Sequence, residues 1–431
     1  MLEEIGVSDF EELLRKVPAS LRLRRPLALP EPLSELELER EIRSIAAGNT
    51  GIDVCFAGGG AYDHFAPAAV DHIILRPEFY TAYTPYQAEV SQGTLQTMYE
   101  FQTFISRLTG LGVTSASMYD GATATAEAVL MAIAHTGRRE VVISQSVNPY
   151  YIETVKTYLS GLNITIKSIK ASDGLTEFSD FKAKLSGHTA AVVLQSPNFF
   201  GQIERVGEVA GEIKNSGALF IDIYDPLSLG IIAPPGEFGA DIAVAEGQSL
   251  GISLNYGGPY LGLLSARREF LRRMPGRLSG RTKDKDGRVG YVMTLQTREQ
   301  HIRRERATSN ICTNQALCAL AATVYMSLLG PDGLKKVGRL CLSKAHYAAE
   351  QIAGLPGFCL KFKGPFFKEF VVETPVAPSR LISKLSKKGI IPGIDMAKFK
   401  LGLKGCLMVA VTEKRSKKQI DDLVYELSKA V

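Results

Sequence analysis

Leu219-Phe-Ile-Asp-Ile-Tyr-Asp-Pro226, then Asp241-Ile-Ala-Val-Ala-Glu-Gly-Gln-Ser-Leu-Gly251, then Tyr256-Gly-Gly-Pro-Tyr-Leu-Gly-Leu-Leu264 is the stretch that decides the fold. Three short apolar runs are separated by turns rich in glycine and proline, the pattern of neighbouring strands in a sheet covered on both faces. Asp222 falls at the end of the first run, the edge at which an open α/β sheet presents its ligand. Working back from there, the spacing predicts a strand from 141 into a turn at Asn148-Pro149, then a helix over 151–160. A strand over 163–169, a helix over 177–185 and a strand over 190–194 follow. Strand and helix alternating in this way imply right-handed crossovers and a mostly parallel sheet.

At 431 residues with 45% hydrophobic content, the chain is long enough for a large domain and a smaller one. Lys and Arg exceed Asp and Glu by 50 to 45, too mild a surplus to point to nucleic acid. The acidic start Met1-Leu-Glu-Glu and the lack of a long apolar run speak against a signal peptide and a membrane span, so a cytoplasmic protein is expected. Cys55, Cys312, Cys318, Cys341, Cys359 and Cys406 have no CxxC spacing and no histidine beside them. They read as reduced core thiols, with no metal site.

Residues 1–52 read as a helical arm, with S-x-x-E capping boxes at Ser8/Glu11 and Ser34/Glu37 on either side of a basic, proline-punctuated linker. The large α/β domain is placed at 53–330 and ends at Gly330-Pro331. A small C-terminal α+β domain over 331–431 is expected to alternate helices with short strands and to finish in an amphipathic helix from 416.

An acid on such a strand resembles the pyridoxal-phosphate enzymes of the aspartate-aminotransferase fold, the type I transferases, where it meets the pyridine nitrogen. That resemblance implies a Schiff-base lysine at the end of the next strand. The chain has no lysine between Lys214 and Lys283, and Gln248 stands near the expected position. The fold also places an aromatic or histidine ring over the pyridine, where this chain has Asn148-Pro149. Gly121-Ala-Thr, opening an alanine-rich helix, is where the catalytic relatives hold phosphate. Asp120 would repel one, and an ordinary helix start capped by Asp120 or Thr123 is the competing reading.

Three further segments tighten the resemblance. Tyr62-Asp63-His64, Thr81-Ala-Tyr-Thr-Pro-Tyr-Gln-Ala-Glu-Val-Ser-Gln-Gly93 and Glu100-Phe-Gln-Thr103 resemble the first subunit of the two-chain glycine dehydrogenase (decarboxylating), the P-protein of the glycine cleavage system. Ala307-Thr-Ser-Asn-Ile-Cys-Thr-Asn-Gln315 and Val411-Thr-Glu-Lys-Arg415 extend it along nearly the whole chain. The resemblance implies a homologous subunit 2 that carries the cofactor lysine in an α2β2 assembly, glycine as substrate and lipoylated H-protein as acceptor. This chain would have no catalytic residue of its own and would be inactive alone. Tyr83, Tyr86 and Gln87 would then form part of a substrate pocket, and Thr308, Ser309 and Asn310 would reach the partner's cofactor phosphate across the interface. Their ordinary alternatives are a surface loop and a helix N-cap. The basic run 267–306, with its paired arginines including Arg272 and Arg273, is either a solvated face or a landing surface for an acidic carrier. Two other functions are carried forward: a silent assembly partner, and a self-sufficient pyridoxal enzyme using a lysine from elsewhere such as Lys283.

Overall fold

The computed structural model describes residues 1–431 apart from Thr308, Cys312 and Thr313. Residues 1–51 form a unit of their own. Its longest helix, Glu35–Ala47, opens on the expected capping box: Ser34 Oγ accepts from the Glu37 N–H while the Glu37 carboxylate accepts from the Ser34 N–H. The box expected at Ser8 does not form. Asp9 caps helix Phe10–Leu13 instead, and the later start lets the Glu12 carboxylate accept from the Ser8 N–H. Aspartate is as good an N-cap as serine, so the cap moves at no cost.

Within residues 52–431 the large sheet has seven strands: β1 (Val113–Thr114), β2 (Glu140–Ser144), β3 (Thr165–Ile169), β4 (Thr189–Ser196), β5 (Leu219–Tyr224), β6 (Ile242–Glu246) and β7 (Gly262–Ala266). Their spatial order is β1-β7-β6-β5-β4-β2-β3. Strands β2 to β6 run parallel, and β7 runs antiparallel to both β6 and β1. Alternate residues feed opposite cores, as the pleat requires. Val141, Val193, Ile221, Ile223 and Val244 meet helices Gly121–Thr136 and Pro149–Leu159. Val142, Val192 and Phe220 meet helix Val206–Ser216, while Ala243, Ala245 and Leu263 lie beneath helix Gln92–Thr109 and the start of helix Ala316–Ala353. The sheet is covered on both faces, so its strands are near-continuous apolar runs.

Helix Ala316–Ala353 joins the two cores. Gly330, at φ 58° and ψ −174°, breaks its helical geometry just before Pro331, where the large domain was expected to end. By length and hydropathy this helix would pass for a membrane span. Its apolar residues are instead shared between two protein cores, Ala319 to Met326 in one and Ala345 to Ile352 in the other. The C-terminal sheet, β8 (Cys359–Leu360), β9 (Glu369–Glu373), β10 (Ile394–Asp395) and β11 (Cys406–Ala410), is antiparallel in the order β8-β9-β11-β10. Helix Lys417–Ala430, capped by Ser416, packs Ile420, Leu423 and Leu427 against it.

Two details differ from the sequence reading. Val54–Cys55 pairs with Ile390–Ile391 and Phe56 packs in the C-terminal core, so the chain joins that core before it builds the large sheet. The polar insert after Lys283 is the turn of a hairpin, Ser279–Lys283 against Val289–Met293. Among the described cysteines none is paired. Cys341 and Cys406 are buried as expected, whereas Cys359 is exposed, because it sits on the edge strand β8 with its Sγ 3.3 Å from Glu373.

Candidate active-site cavity

A small cavity lies at the C-terminal ends of β4, β5 and β6, closed from the other side by β9. It is lined by Tyr62, Asn148, Tyr151, Asp225, Glu246 and Lys368 among others, and its volume is about 40 Å³. That is room for a few waters; small-molecule sites typically span roughly 300 to 1,000 Å³.

Each wall has a local cause. Gln248, near the position where the fold's lysine was expected, is 1% exposed. Its Oε1 accepts from the Tyr62 N–H at 2.9 Å, and its Nε2 donates to the Tyr62 carbonyl at 3.0 Å and to the Ile252 carbonyl. One amide thus clamps the backbone of Tyr62 on both sides, a task needing a donor and an acceptor together, which an ammonium cannot supply. The Tyr62 hydroxyl donates to Glu369 at 2.6 Å, and Glu369 also accepts from the Gly59 N–H at 2.7 Å. Burial pushes the Glu369 carboxyl up to about 6. Gly58 must be glycine here, since a Cβ would lie 2.1 Å from Glu369 Oε1. Asn148, at the place of the expected ring, caps helix Pro149–Leu159 and donates to the Gly59 carbonyl at 2.9 Å. Replacing Gln248 by lysine should therefore create no cofactor site and should destabilise the chain by ~1–3 kcal/mol, the usual cost of unsatisfied buried groups. Urea denaturation reads the stability, and a spectrum of the variant mixed with pyridoxal phosphate reads the binding.

An amine does reach the cavity, from the C-terminal sheet. Lys368, just before β9 and 2% exposed, pairs with Asp225 at 2.6 Å, lies 3.0 Å from His64 Nε2 and sits 3.6 Å over the Tyr62 ring. Burial and this ammonium both lower the His64 pKa, so His64 is neutral, donating from Nδ1 to Glu413 at 2.6 Å and accepting at Nε2. The Cys341 thiol adds a 3.4 Å contact to the same carboxylate. The metal-capable atoms of His64, Cys341 and Glu413 lie within 4.8 Å of one another, a juxtaposition the sequence did not suggest. They are spent on these hydrogen bonds. The rest of the motif pair closes alongside: Asp63 binds Lys414 and the buried Arg415, and its carbonyl accepts from Thr412. The segments Tyr62-Asp63-His64 and Val411 to Arg415, distant in sequence, are one contact.

Asp222 is 3% exposed, and its Oδ1 has no partner among the described residues. Burial, then the nearby Glu204 charge, raises its pKa well above the usual carboxylate range. The hydroxyls of Ser249 and Tyr224, at the cavity wall, are also unpartnered and buried.

The other expected site residues lie elsewhere. Tyr83, Tyr86 and Gln87 are exposed on their loop and do not line the cavity. Tyr86 and Thr84 are held by Arg277, 2% exposed, whose two terminal nitrogens lie 3.2 Å from their hydroxyls. The Arg277 guanidinium stacks 5.3 Å from the Tyr86 ring and faces Glu299 at 3.7 Å. Ser309 is half-buried, and its Oγ accepts from the Ile311 N–H at 3.2 Å. Asn310 is exposed. Thr308 lies outside the described residues. Among the described residues no hydrogen bond joins the Tyr83–Gln87 loop to Ser309 or Asn310. Lys283 is exposed on its hairpin, away from the cavity. Arg272 and Arg273 are exposed, with Arg273 also bonding the Ala134 carbonyl at the end of helix Gly121–Thr136.

A family model described as glycine cleavage system P-protein matches residues 1–427. A probable glycine dehydrogenase (decarboxylating) subunit 1 of Desulforamulus reducens is 52% identical over 429 residues, covering 99% of this chain and 96% of that protein. Its namesake in Moorella thermoacetica is 50% identical over 424 residues, 98% of this chain and 95% of the relative. An inhibitor-bound crystal structure of glycine decarboxylase, the P-protein of the glycine cleavage system, superposes with a TM-score of 0.93 at 40% identity, covering 100% of this chain and 97% of the other. A glutamate decarboxylase of Lactobacillus brevis shares the fold, with a TM-score of 0.72 at 12% identity over 95% of each chain.

Proposed function

This chain belongs to the glycine cleavage system P-protein family, and from that membership we propose that it is the subunit lacking the Schiff-base lysine in a two-chain glycine dehydrogenase (decarboxylating). With a homologous lysine-bearing subunit, in an α2β2 assembly, it decarboxylates glycine and passes the aminomethyl group to the lipoyl arm of H-protein. Pyridoxal phosphate supplies the electron sink for that chemistry and is anchored on the partner. This chain's own cavity does not fit the cofactor: it is too small, and its one amine, Lys368, is held in an ion pair.

Gln248 is the observation that carries this reading. A self-sufficient enzyme of the fold needs an amine near that strand end, and here an amide is committed to holding Tyr62. What the chain contributes is surface. Tyr83, Tyr86 and Gln87, on a loop stiffened by Pro85 and tied down by Arg277, form part of the partner's pocket wall. Ser309 and Asn310, with Thr308, donate to the partner's cofactor phosphate. The exposed Arg272 and Arg273 offer charge to the acidic carrier.

Co-expression with and without the lysine-bearing chain tests the reading. Glycine–bicarbonate exchange is expected only when both chains are present, and exchange by this chain alone would overturn it.

A further inference from the structure

The N-terminus of helix Gly121–Thr136 points its free N–H groups toward the end of β6, beside the cavity. Such a terminus, with its positive dipole end, binds anions. Here the group that takes that place is part of the chain, a carboxyl that burial pushes up to about 8. Glu246, the last residue of β6, accepts from the Gly121 N–H at 3.0 Å through Oε2, and from the Gln248 and Leu261 N–H groups at 3.0 and 3.1 Å through Oε1. Asp120 caps the same helix and receives the Thr123 N–H at 2.7 Å. Tyr151 closes the remaining side: a Cβ on Gly121 would lie 2.2 Å from its hydroxyl.

We propose that Glu246 is a built-in ligand, its carboxyl occupying the oxyanion site of this chain's own pocket so that no phosphate-bearing molecule can enter it. Three independent features agree. The Gly121 and Thr123 N–H groups at the helix start are satisfied within the chain, by Glu246 and Asp120. The space beyond them is about 40 Å³. The one cation on the described lining of that space, Lys368, is already paired with Asp225 at 2.6 Å, so no free positive side chain there awaits a phosphate dianion. The pocket keeps the fold's anion site in form and fills it with a side chain, which holds β6 and β7 against the helix start.

Removing the plug should reopen the site. Glu246→Ala leaves the Gly121, Gln248 and Leu261 N–H groups facing a space the size of a carboxyl. In the full chain this variant is expected to melt below the wild type, and inorganic phosphate should raise its melting temperature by several degrees where chloride at equal ionic strength does not. The wild type should show no phosphate-specific shift and no change in hydrogen exchange over 118–126 with phosphate or pyridoxal phosphate. Phosphate protection of the wild type in that segment, or a folded Glu246→Ala chain indifferent to phosphate, would overturn the inference. If Glu246→Ala does not fold, Glu246→Ser takes its place, and if neither folds the wild-type exchange measurement decides alone. The inference rests on the fold and deepens the reading that the partner holds the cofactor. A wild-type chain that binds phosphate yet needs its partner for exchange would sink the plug and spare that reading, whereas exchange by the chain alone would sink the reading.

Discussion

Replacing Lys368 by methionine is expected to lower the stability of the chain by ~3–5 kcal/mol, the usual cost of breaking a buried ion pair by removing one partner. The ammonium is 2% exposed and serves Asp225, His64 and the Tyr62 ring at once. Without it, the Asp225 carboxylate is left at the cavity with no counter-charge, and His64 Nε2 loses its donor. The effect should be non-additive with Asp225→Asn. The double variant removes the stranded charge and should recover a large part of the loss, because residues of one network couple. Urea denaturation of the four proteins closes the cycle. Additive losses would mean that the pair is not a structural unit and that Lys368 has been left free for another role.

Arg277→Ala should act on turnover. The guanidinium is the only described side chain donating to both Thr84 and Tyr86, and it does so from a position that is itself almost fully buried. Hydrogen bonds to a charged group contribute ~1.5–3 kcal/mol. If the loop they hold forms part of the working pocket, their loss translates into a roughly 10- to 100-fold slower glycine–bicarbonate exchange by the two-chain enzyme. Arg277→Lys keeps the charge facing Glu299 but cannot reach two hydroxyls with one fixed fork, so it should keep the fold and recover only part of the rate. Size-exclusion chromatography of each reconstituted complex separates the possibilities. Intact assembly with slow exchange places the loop at the chemistry. Intact assembly with unchanged exchange leaves Tyr83, Tyr86 and Gln87 as surface residues and favours a silent assembly partner. Ser309→Ala with Asn310→Ala asks the same question of the other expected contact, with cofactor affinity as its readout.

What could be read from the sequence follows from where the relevant partners lie. The runs at 219–224, 242–246 and 262–266 are buried on both faces, so their composition alone marks them as strands. Asp120 and Thr123 cap their own helix, a local interaction that four residues of sequence contain. The hairpin at 279–293 escaped because its strands carry Arg281, Lys283 and Tyr291 on a partly exposed ribbon with no continuous apolar face. Lys368 escaped for a different reason. Phe366-Phe-Lys-Glu-Phe370 reads as a core strand with two charges in it, and the groups that neutralise them, Asp225, His64, Tyr62 and Gly59, are all more than a hundred residues away. Glu246 was visible as a residue but not as a ligand, since two of the three N–H groups it accepts, those of Gly121 and Leu261, come from a helix start and the residue before β7, which meet it only in the folded sheet. Tyr83 and Gln87 remain exposed in the chain taken by itself, and their proposed partner is another polypeptide.

Borohydride reduction of the two-chain enzyme in the absence of glycine, when the cofactor is still joined to its Schiff-base lysine, followed by peptide mapping of both subunits, bears most directly on the division of labour between the chains. The reduced cofactor is expected on a single lysine of the partner, with every peptide of this chain unlabelled, the one containing Lys368 included. A stoichiometric label on this chain would contradict it.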